Sequence, residues 1–347
     1  MTGTSYLNDR RKAILKAVVE EYILNGQPIG SEELLRKYSL GCSSATIRAE
    51  LATLEEMEYL SHPHTSAGRV PTEQGYRIYV DHLLTLSPVS FQEEEKISQV
   101  LNRQSQDLRN ILAEACRLVA TISTYTSLAL APQANQQVMR YIHFVPVSTK
   151  QALVILVTSL KVIQDQFLEV GAEVSEEDLE YLSHYLSRRL LGKTPWQCLQ
   201  ELPVIREEQP TRLVSLLNQL STVLHNVFLY EQSERLIVEG AENLLLASDF
   251  RNSFTQRRLA DALDRRFLLQ DVLDRHLTSR NLQIFIGQEN EVVEMHDLTL
   301  LAMPFEASRY AYGALGLLGP MRMDYAKGIR LLACVTGVLE RALSQEA

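Results

Sequence analysis

Two helical patterns separated by a short turn constrain most strongly what the start of the chain can fold into. Residues 8–25 repeat apolar side chains at helical spacing, and Gly26 follows where a helix C-terminus favours glycine. Residues 31–38 form a second, shorter helical pattern, with Ser31 as its expected N-cap. The connection "QPIG" leaves little room between them, so this part of the chain is predicted to be a helical unit.

A third helix is predicted after the tight turn "SLGC". Ser43 or Ser44 is expected to cap it, because a serine hydroxyl can accept a hydrogen bond from a backbone N–H group of the first turn. Ile47, Leu51 and Leu54 recur at helical spacing and are expected in the core. Two helices joined by a short glycine-containing turn are typical of the helix-turn-helix.

The outer face of this third helix suits a DNA groove. Ser44, Ala45, Arg48 and Ala49 are expected to point outward from its N-terminal half. Small side chains permit close approach to the groove floor, and the Arg48 guanidinium suits guanine or phosphate. A three-helix bundle with a polar exterior remains the alternative explanation of this pattern.

A hairpin and a fourth helix are predicted next. "YLSHPH" and "GRVP" flank a turn at 66–68, and Thr72 is expected to cap the fourth helix. Three helices followed by a hairpin constitute the winged variant of the motif. Glu58 stands where a helix C-terminus prefers glycine, so the end of the third helix is expected to be either slightly strained or differently built. The fourth helix is expected to place on one apolar face Tyr76, Tyr79, Val80, Leu83 and Leu84.

The remainder alternates between strand and helix patterns. Residues 86–90 resemble a linker, and a long polar helix is expected over roughly 92–123. Helical patterns dominate from about 172 to 278, apart from the short β-like run "ERLIVEG". A closing helix with Asp324 as its cap is expected at the end. Strand patterns are predicted at 127–131, 138–147, 152–159, 161–170, 282–287, 298–305 and 312–319.

Composition and charge exclude several classes of protein. No window is apolar enough for a membrane helix, the first residues lack the apolar run of a signal peptide, and a cytoplasmic location is expected. The four cysteines are widely spaced, which argues against a zinc module. Residues 1–86 hold nine Lys and Arg against eleven Asp and Glu, so charge alone argues against DNA binding.

Other chemistries are weakly indicated. His62 and His64 could share a strand face as metal ligands, but further ligands are missing nearby. A Ser66–His64 nucleophile pair lacks the G-x-S-x-G elbow and an orienting carboxylate. The glycines of "GALGLLGP" do not match a nucleotide-binding fingerprint, and a turn at a strand end is expected there instead. No cofactor, metal or active site is therefore expected.

Several longer blocks resemble one known family. The segments "QPIGSEELLRKY" (27–38), "SSATIRAELATLEEMEYL" (43–60) and "PHTSAGRVPTEQGYRIYVDHL" (63–83) are similar to the heat-inducible transcription repressor HrcA of bacteria. Two later blocks, "IGQENEVVEMHDLTLL" (286–301) and "GALGLLGPMRMDY" (313–325), share the resemblance. The similarity therefore extends along nearly the whole chain and is weakest in the helical middle.

The resemblance implies an α+β multidomain fold. A winged helix-turn-helix domain is expected over residues 1–88, and a GAF-like α/β domain over 89–171 and 279–347. A mainly helical dimerisation domain is expected as an insertion over 172–278.

The resemblance also implies a function and partners. The expected protein is a homodimer that represses heat-shock chaperone operons by binding an inverted-repeat operator, the element called CIRCE. Heat relieves repression, and a GroEL-type chaperonin keeps the repressor active. A metabolite-responsive regulator with a site near residues 138–170 and 298–319 is the alternative, and an enzyme built on the same domain is a third.

These inferences assign two sets of DNA-binding residues. From the third helix, the residues expected to read or approach bases are Ser43, Ser44, Ala45, Thr46 and Arg48. In the hairpin, Arg69 is the only Lys or Arg and is expected to contact phosphate. The hairpin residues expected near the flanking DNA backbone are His62, His64, Thr65, Ser66 and Arg69.

Overall fold

The computed structural model describes residues 7–63, 68–86, 91–101, 108–132, 138–159, 163–233, 235–250, 253–308 and 311–344. The fold is a mixture of helices and antiparallel sheets, as expected for an α+β protein. Within the described residues, no helix has both the length and the apolar character that a bilayer-spanning helix requires.

Residues 7–86 form a unit that we call the N-terminal unit. Its elements are α1 (Asp9–Asn25), α2 (Ser31–Lys37), α3 (Ser44–Glu56), β1 (Leu60–Ser61), β2 (Val70–Pro71) and α4 (Glu73–Ile78). A π-helical turn, Tyr79–Leu83, continues α4. The expected caps are present at three ends: Gly26 has φ +63° after α1, Ser43 accepts from the Thr46 N–H, and Thr72 accepts from the Gly75 N–H.

The end of α3 has the geometry that normally requires glycine. Glu58 has φ +62°, and its N–H donates to the Glu55 carbonyl over 2.9 Å. The Tyr59 N–H donates to the Leu54 carbonyl over 3.0 Å, which completes a Schellman motif. The expected strain at this position is therefore confirmed, because Glu58 is a non-glycine residue in the left-handed region.

Three helices pack together beside the next sheet: α5 (Phe91–Leu101), α6 (Leu108–Ser123) and the closing helix α13 (Tyr325–Ser344). The single long helix expected over 92–123 is wrong, because α5 and α6 contact each other and both contact α13. A straight continuous helix would keep them apart. Folding back buries Leu101 and Leu108 in the same apolar cluster. Asp324 caps α13 as expected, by accepting from the Lys327 N–H over 2.9 Å.

The larger sheet has five antiparallel strands: β3 (Thr126–Leu130), β7 (Leu236–Glu239), β8 (Gln283–Ile286), β9 (Leu298–Ser308) and β10 (Ala311–Pro320). Their order across the sheet is β7-β3-β10-β9-β8. Alternate residues of these strands enter two apolar clusters, one shared with α6 and α13 and the other with the three helices that follow β7. The helices after β7 are α10 (Ala241–Leu246), α11 (Ser253–Asp264) and α12 (Arg266–His276).

The glycines of "GALGLLGP" lie within β10 and not in the turn expected from the sequence. Close approach explains two of them. A Cβ at Gly313 would lie 2.4 Å from the Phe305 ring, and one at Gly319 would lie 3.0 Å from the Tyr125 ring.

The smaller sheet contains three antiparallel strands: β4 (Met139–Ser148), β5 (Gln151–Thr158) and β6 (Ile163–Glu169). Three helices pack on one of its faces: α7 (Glu176–Leu190), α8 (Pro195–Glu208) and α9 (Thr211–Ser233). Strands and helices share one apolar cluster, which is separate from the clusters of the larger sheet.

The elements do not divide at the expected boundaries 171/172 and 278/279. Strands β4–β6 pair only with each other among the described residues, although the sequence assigned them to the domain that also holds residues 279–347. Conversely, β7 and α10–α12 pack with the larger sheet, although the sequence assigned them to the insertion. The separate unit therefore lies between β3 and β7 and contains its own sheet.

The N-terminal unit contacts the larger sheet and α13 directly. Arg77 Nε donates to Glu289 Oε1 over 2.9 Å, and Arg77 Nη2 donates to the Ile284 carbonyl over 2.6 Å. The Tyr325 ring, at the start of α13, lies 6.0 Å from the Tyr76 ring and 6.5 Å from the Tyr79 ring, measured between centroids. These contacts connect α4 with the rest of the molecule.

Candidate nucleic-acid interface

A pair of serine hydroxyls joins α2 to α3. Gly30, and not the expected Ser31, is the N-cap of α2. Ser31 is buried instead, and its Oγ lies 3.1 Å from Ser44 Oγ at the start of α3. Gly41 takes φ +64° in the turn between the helices. The hydroxyl pair therefore joins the first turns of two consecutive helices.

One side of α3 is buried and the opposite side is smooth and exposed. Ile47, Leu51 and Leu54 are buried, as the spacing predicts. The exposed positions follow the same helical period on the other side: Ala45, Arg48, Ala49 and Ala52. A helix face of three alanines and one arginine can approach a groove floor closely, with a single long donor side chain.

The hydroxyl residues at the start of α3 are partly engaged within the helix. Ser43 Oγ accepts from the Thr46 N–H over 3.2 Å and lies 2.9 Å from Thr46 Oγ1. Ser44 is half-buried because of its contact with Ser31. Of the residues that the sequence predicts for this helix, Ser43, Ala45 and Arg48 are exposed, and the Ser43 hydroxyl already accepts a hydrogen bond within the helix.

The expected hairpin is present as a short antiparallel ladder. Leu60 pairs with Pro71 and Ser61 pairs with Val70. His62 follows β1 and is exposed. Three further predicted residues, His64, Thr65 and Ser66, lie outside the described residues, so their predicted role stays a prediction.

Arg69 occupies a different environment from the one the sequence predicts. Its Nη2 lies 2.8 Å from Glu55 Oε2, and its side chain is 20% exposed. Its backbone exchanges two hydrogen bonds with Ile29, at 2.9 and 3.1 Å. Gly68 lies so close to this segment that a Cβ would be 2.6 Å from the Pro28 carbonyl carbon. Arg69 therefore connects the ladder to α3 and to the segment before α2, which leaves its guanidinium little freedom to contact phosphate.

Ion pairing identifies the cations that remain available in the N-terminal unit. Of its nine Lys and Arg residues, all of them described, seven lie within 4.0 Å of a carboxylate. Arg36 and Arg48 have no such partner among the described residues, and both are exposed. Sequence reasoning missed Arg36. Glu32 lies four residues before Arg36 on α2, so the sequence favours a helical ion pair and gives no signal that Arg36 stays unpaired.

The described residues do not bring together the groups that a metal site or a metabolite site would need. No group of three or more His, Cys, Asp or Glu side chains among them is arranged to hold a metal ion. The segments proposed for a metabolite site, 138–170 and 298–319, belong to different sheets and different apolar clusters.

Comparison with known proteins gives extensive matches. The family profile described as "HrcA protein C terminal domain" matches residues 109–329. The chain is 35% identical over 343 residues to the heat-inducible transcription repressor HrcA of Geobacter sulfurreducens, covering 98% of this chain and 99% of the relative. It is 33% identical over 340 residues to the repressor of the same name from Moorella thermoacetica, covering 98% of each. These relatives are named as transcription repressors, a class of DNA-binding proteins and not of enzymes.

A solved structure shares the fold. It is a crystal structure at 2.2 Å resolution described as a hypothetical protein, with a TM-score of 0.67 and 22% identity. The match covers 98% of this chain and 100% of that one. The arrangement of helices and sheets therefore recurs in a protein of distant sequence.

Proposed function

Because the chain belongs to the family of heat-inducible transcription repressors HrcA, we propose that it represses chaperone operons by binding the inverted-repeat operator CIRCE as a homodimer. The N-terminal unit acts as a winged helix-turn-helix, with α3 in the major groove and the β1–β2 hairpin as its wing. The exposed face of α3, with Arg48 unpaired between alanines, is the observation that carries this proposal.

The unpaired cations divide the contacts into two kinds. Arg48 lies on the face of α3 that meets the groove and is proposed to contact base edges, with Ala45 and Thr46 beside it. Arg36, at the end of α2, is proposed to contact the phosphate backbone. Because the other seven cations are paired with carboxylates, each subunit makes few phosphate contacts, and affinity falls only moderately with salt.

A mobility-shift assay tests operator binding directly. The probe is a fragment from upstream of chaperonin genes that contains the inverted repeat, and the control is the same fragment with one half-site scrambled. We expect a shift of the intact repeat at concentrations that leave the scrambled fragment free. Equal binding of both fragments would contradict operator recognition.

The open face of the small sheet supports the homodimer. Helices α7–α9 cover one face of β4–β6, and the other face is uncovered within the described chain. That face carries a row of apolar side chains, with Asp165 and Glu169 along β6 at its edge. Tyr141 is 47% exposed there and Phe167 is 60% exposed. Their neighbours on this face include Val145, Leu153 and Ile155, which are half-buried. Exposed apolar surfaces of this kind mark interaction sites.

Phe167→Asp tests this dimer surface. The substitution removes an exposed aromatic side chain from the face and adds a second carboxylate beside Asp165, which would have to be desolvated in the dimer, so we expect sedimentation velocity to show monomers. Tyr181→Asp is the matched control, because Tyr181 is 50% exposed on α7 and lies away from the sheet face. A Phe167→Asp variant that remains dimeric would exclude the open face as the dimer contact.

Heat and chaperonin act in this proposal through the folded fraction of the repressor. Marginal stability allows a modest rise in temperature to unfold a protein, and a chaperonin that refolds it restores the active fraction. We expect a purified GroEL-type chaperonin with ATP to restore operator binding after mild heating. The matched incubation without ATP should restore less. Equal recovery in both incubations would contradict the chaperonin step.

A further inference from the structure

An apolar groove lies between α5, α6 and α13, and none of the residues proposed to contact DNA lines it. Its volume is about 420 Å³, within the range of ligand pockets. The groove is open to solvent at Val100 and Ile122, each of which is 38% exposed. The remaining apolar lining includes Ile97, Leu118 and Leu331. The walls from three helices offer apolar surface that an alkyl chain can cover and so remove from water.

Three cations line the same groove. Lys96, Lys327 and Arg330 contribute to its wall, and none of them forms an ion pair within the described residues. Arg330 Nε is also buried without a hydrogen-bond partner there. The single carboxylate of the lining belongs to Asp324, whose Oδ1 already accepts from the Lys327 N–H.

The three cations of this groove contrast with the overall charge of the chain. The chain carries a net charge of −9, and most cations of the N-terminal unit are paired with carboxylates. A buried guanidinium nitrogen without a partner costs free energy, which an anionic acceptor recovers. The first turn of α13 adds the positive end of its helix dipole to the same side.

We propose that this groove binds a long-chain carboxylate. The alkyl chain lies along Val100, Leu118 and Ile122, and the carboxylate meets Lys327 and Arg330. Both parts are required, because the apolar wall supplies most of the buried area and the cations orient the headgroup.

The groove adjoins the contact between α13 and the N-terminal unit. Asp324 lines the groove, and the next residue, Tyr325, packs against Tyr76 and Tyr79 of the N-terminal unit. A ligand that changes the packing of α5 on α13 therefore acts one residue away from that contact. We therefore expect the affinity for the ligand and the affinity for the operator to be coupled, which rests on the proposed function.

Fluorescence titration of the full-length protein with 11-(dansylamino)undecanoic acid tests the site, with palmitate as competitor. We expect saturable binding that palmitate displaces and palmitate methyl ester does not. Lys327→Gln and Arg330→Gln should each raise the Kd about tenfold, because each removes a charge-assisted hydrogen bond. Lys150→Gln, in the exposed turn between β4 and β5, is the control and should bind as the wild type does.

A second variant protects the test against misfolding. Ile122→Glu places a carboxylate in the groove at an exposed position, so we expect loss of probe binding with an unchanged thermal midpoint. Absence of saturable binding, equal displacement by the methyl ester, or unchanged binding by Ile122→Glu would each overturn the site. If an acidic amphipathic peptide competed more strongly than palmitate, the proposal of a small ligand would be wrong and the groove would be assigned to a protein partner.

The coupling has its own readout. We expect the Kd of the probe to differ at least about fivefold between protein saturated with operator and protein with scrambled DNA, a typical size for allosteric coupling. Equal values would overturn the coupling and leave the binding site intact. Lack of operator binding by the ligand-free protein would instead count against the proposed function alone.

Discussion

Arg69 Nη2 lies 2.8 Å from Glu55 Oε2, so the base of the hairpin is joined to the C-terminal half of α3 by an ion pair. The pair connects the two elements that are proposed to contact DNA. Thr72 adds a second connection, because its hydroxyl donates to the Glu58 carbonyl over 2.5 Å. The hairpin is therefore held in position relative to α3 before any DNA is present.

Substitutions at the two ends of this ion pair distinguish a positioning role from a phosphate contact. If Arg69 positions the hairpin, Glu55→Gln and Arg69→Ala both weaken operator binding, and neither changes its salt dependence. Glu55→Gln should also lower the free energy of unfolding by about 0.5–1 kcal/mol, as for a partly exposed pair. Stronger DNA binding by Glu55→Gln, together with a shallower salt slope for Arg69→Ala, would instead show that Arg69 contacts phosphate.

Arg36→Ala should weaken binding to all DNA sequences alike. Arg36 is exposed and unpaired within the described chain, so a phosphate contact through it releases counterions. The slope of log Kd against log salt should fall by about 1 in fluorescence anisotropy. Lys150→Gln, remote from the N-terminal unit, should leave the slope unchanged. A loss confined to operator DNA would assign base recognition to Arg36.

Glu58→Gly should stabilise the protein. Glu58 has φ +62°, a conformation that costs a non-glycine residue about 1–2 kcal/mol. Glycine adopts this conformation without the steric cost, so the substitution should recover part of that free energy. The matched control is Glu56→Gly, since Glu56 has helical geometry and glycine there should destabilise by about 1 kcal/mol. Urea unfolding followed by circular dichroism measures both changes. Destabilisation by Glu58→Gly would contradict the strain.

Two of the four cysteines should resist alkylation in the folded protein. Burial raises the pKa of the Cys116 thiol and of the Cys198 thiol to about 12, so their thiolate fractions at pH 8 are very small. Cys42 is half-buried and precedes α3. Mass spectrometry after brief iodoacetamide treatment should find label on Cys42 and none on Cys116 or Cys198, and unfolding in urea should expose all of them. Rapid labelling of Cys116 would contradict its burial.

The N-terminal unit could be predicted well from the sequence because its determinants are local. Gly26, Ser43 and Thr72 act on helix ends within a few residues of themselves. The periodicity of Ile47, Leu51 and Leu54 identifies the buried face of α3. These signals depend only on neighbouring residues, and for that reason they could be recognised before the structure was known.

Sheet membership could not be predicted in the same way. Alternation in residues 152–158 indicates a strand with one buried face, but it does not state which strands pair with it. The short run "LIVE" at 236–239 gives no local sign that it pairs with β3, more than a hundred residues earlier. The unit that contains β4–β6 and α7–α9 therefore could not be delimited from local patterns.

The ion pairs that organise the candidate site are equally long-range. Arg69 meets Glu55 and Arg77 meets Glu289, and in each case several acids were available in the sequence. The residue type indicates that a cation can contact phosphate, but only the fold shows whether a carboxylate occupies it first. Arg69 is paired with Glu55, whereas Arg48 has no carboxylate partner among the described residues.

Binding of Arg48→Ala to the inverted repeat tests the central claim most directly. Fluorescence anisotropy with the intact and scrambled fragments measures specific and non-specific affinity in one experiment. The account predicts that specific binding weakens by about 1–3 kcal/mol, whereas binding to the scrambled fragment changes little. Unchanged affinity of Arg48→Ala for the intact repeat would contradict the assignment of α3 as the helix that reads DNA.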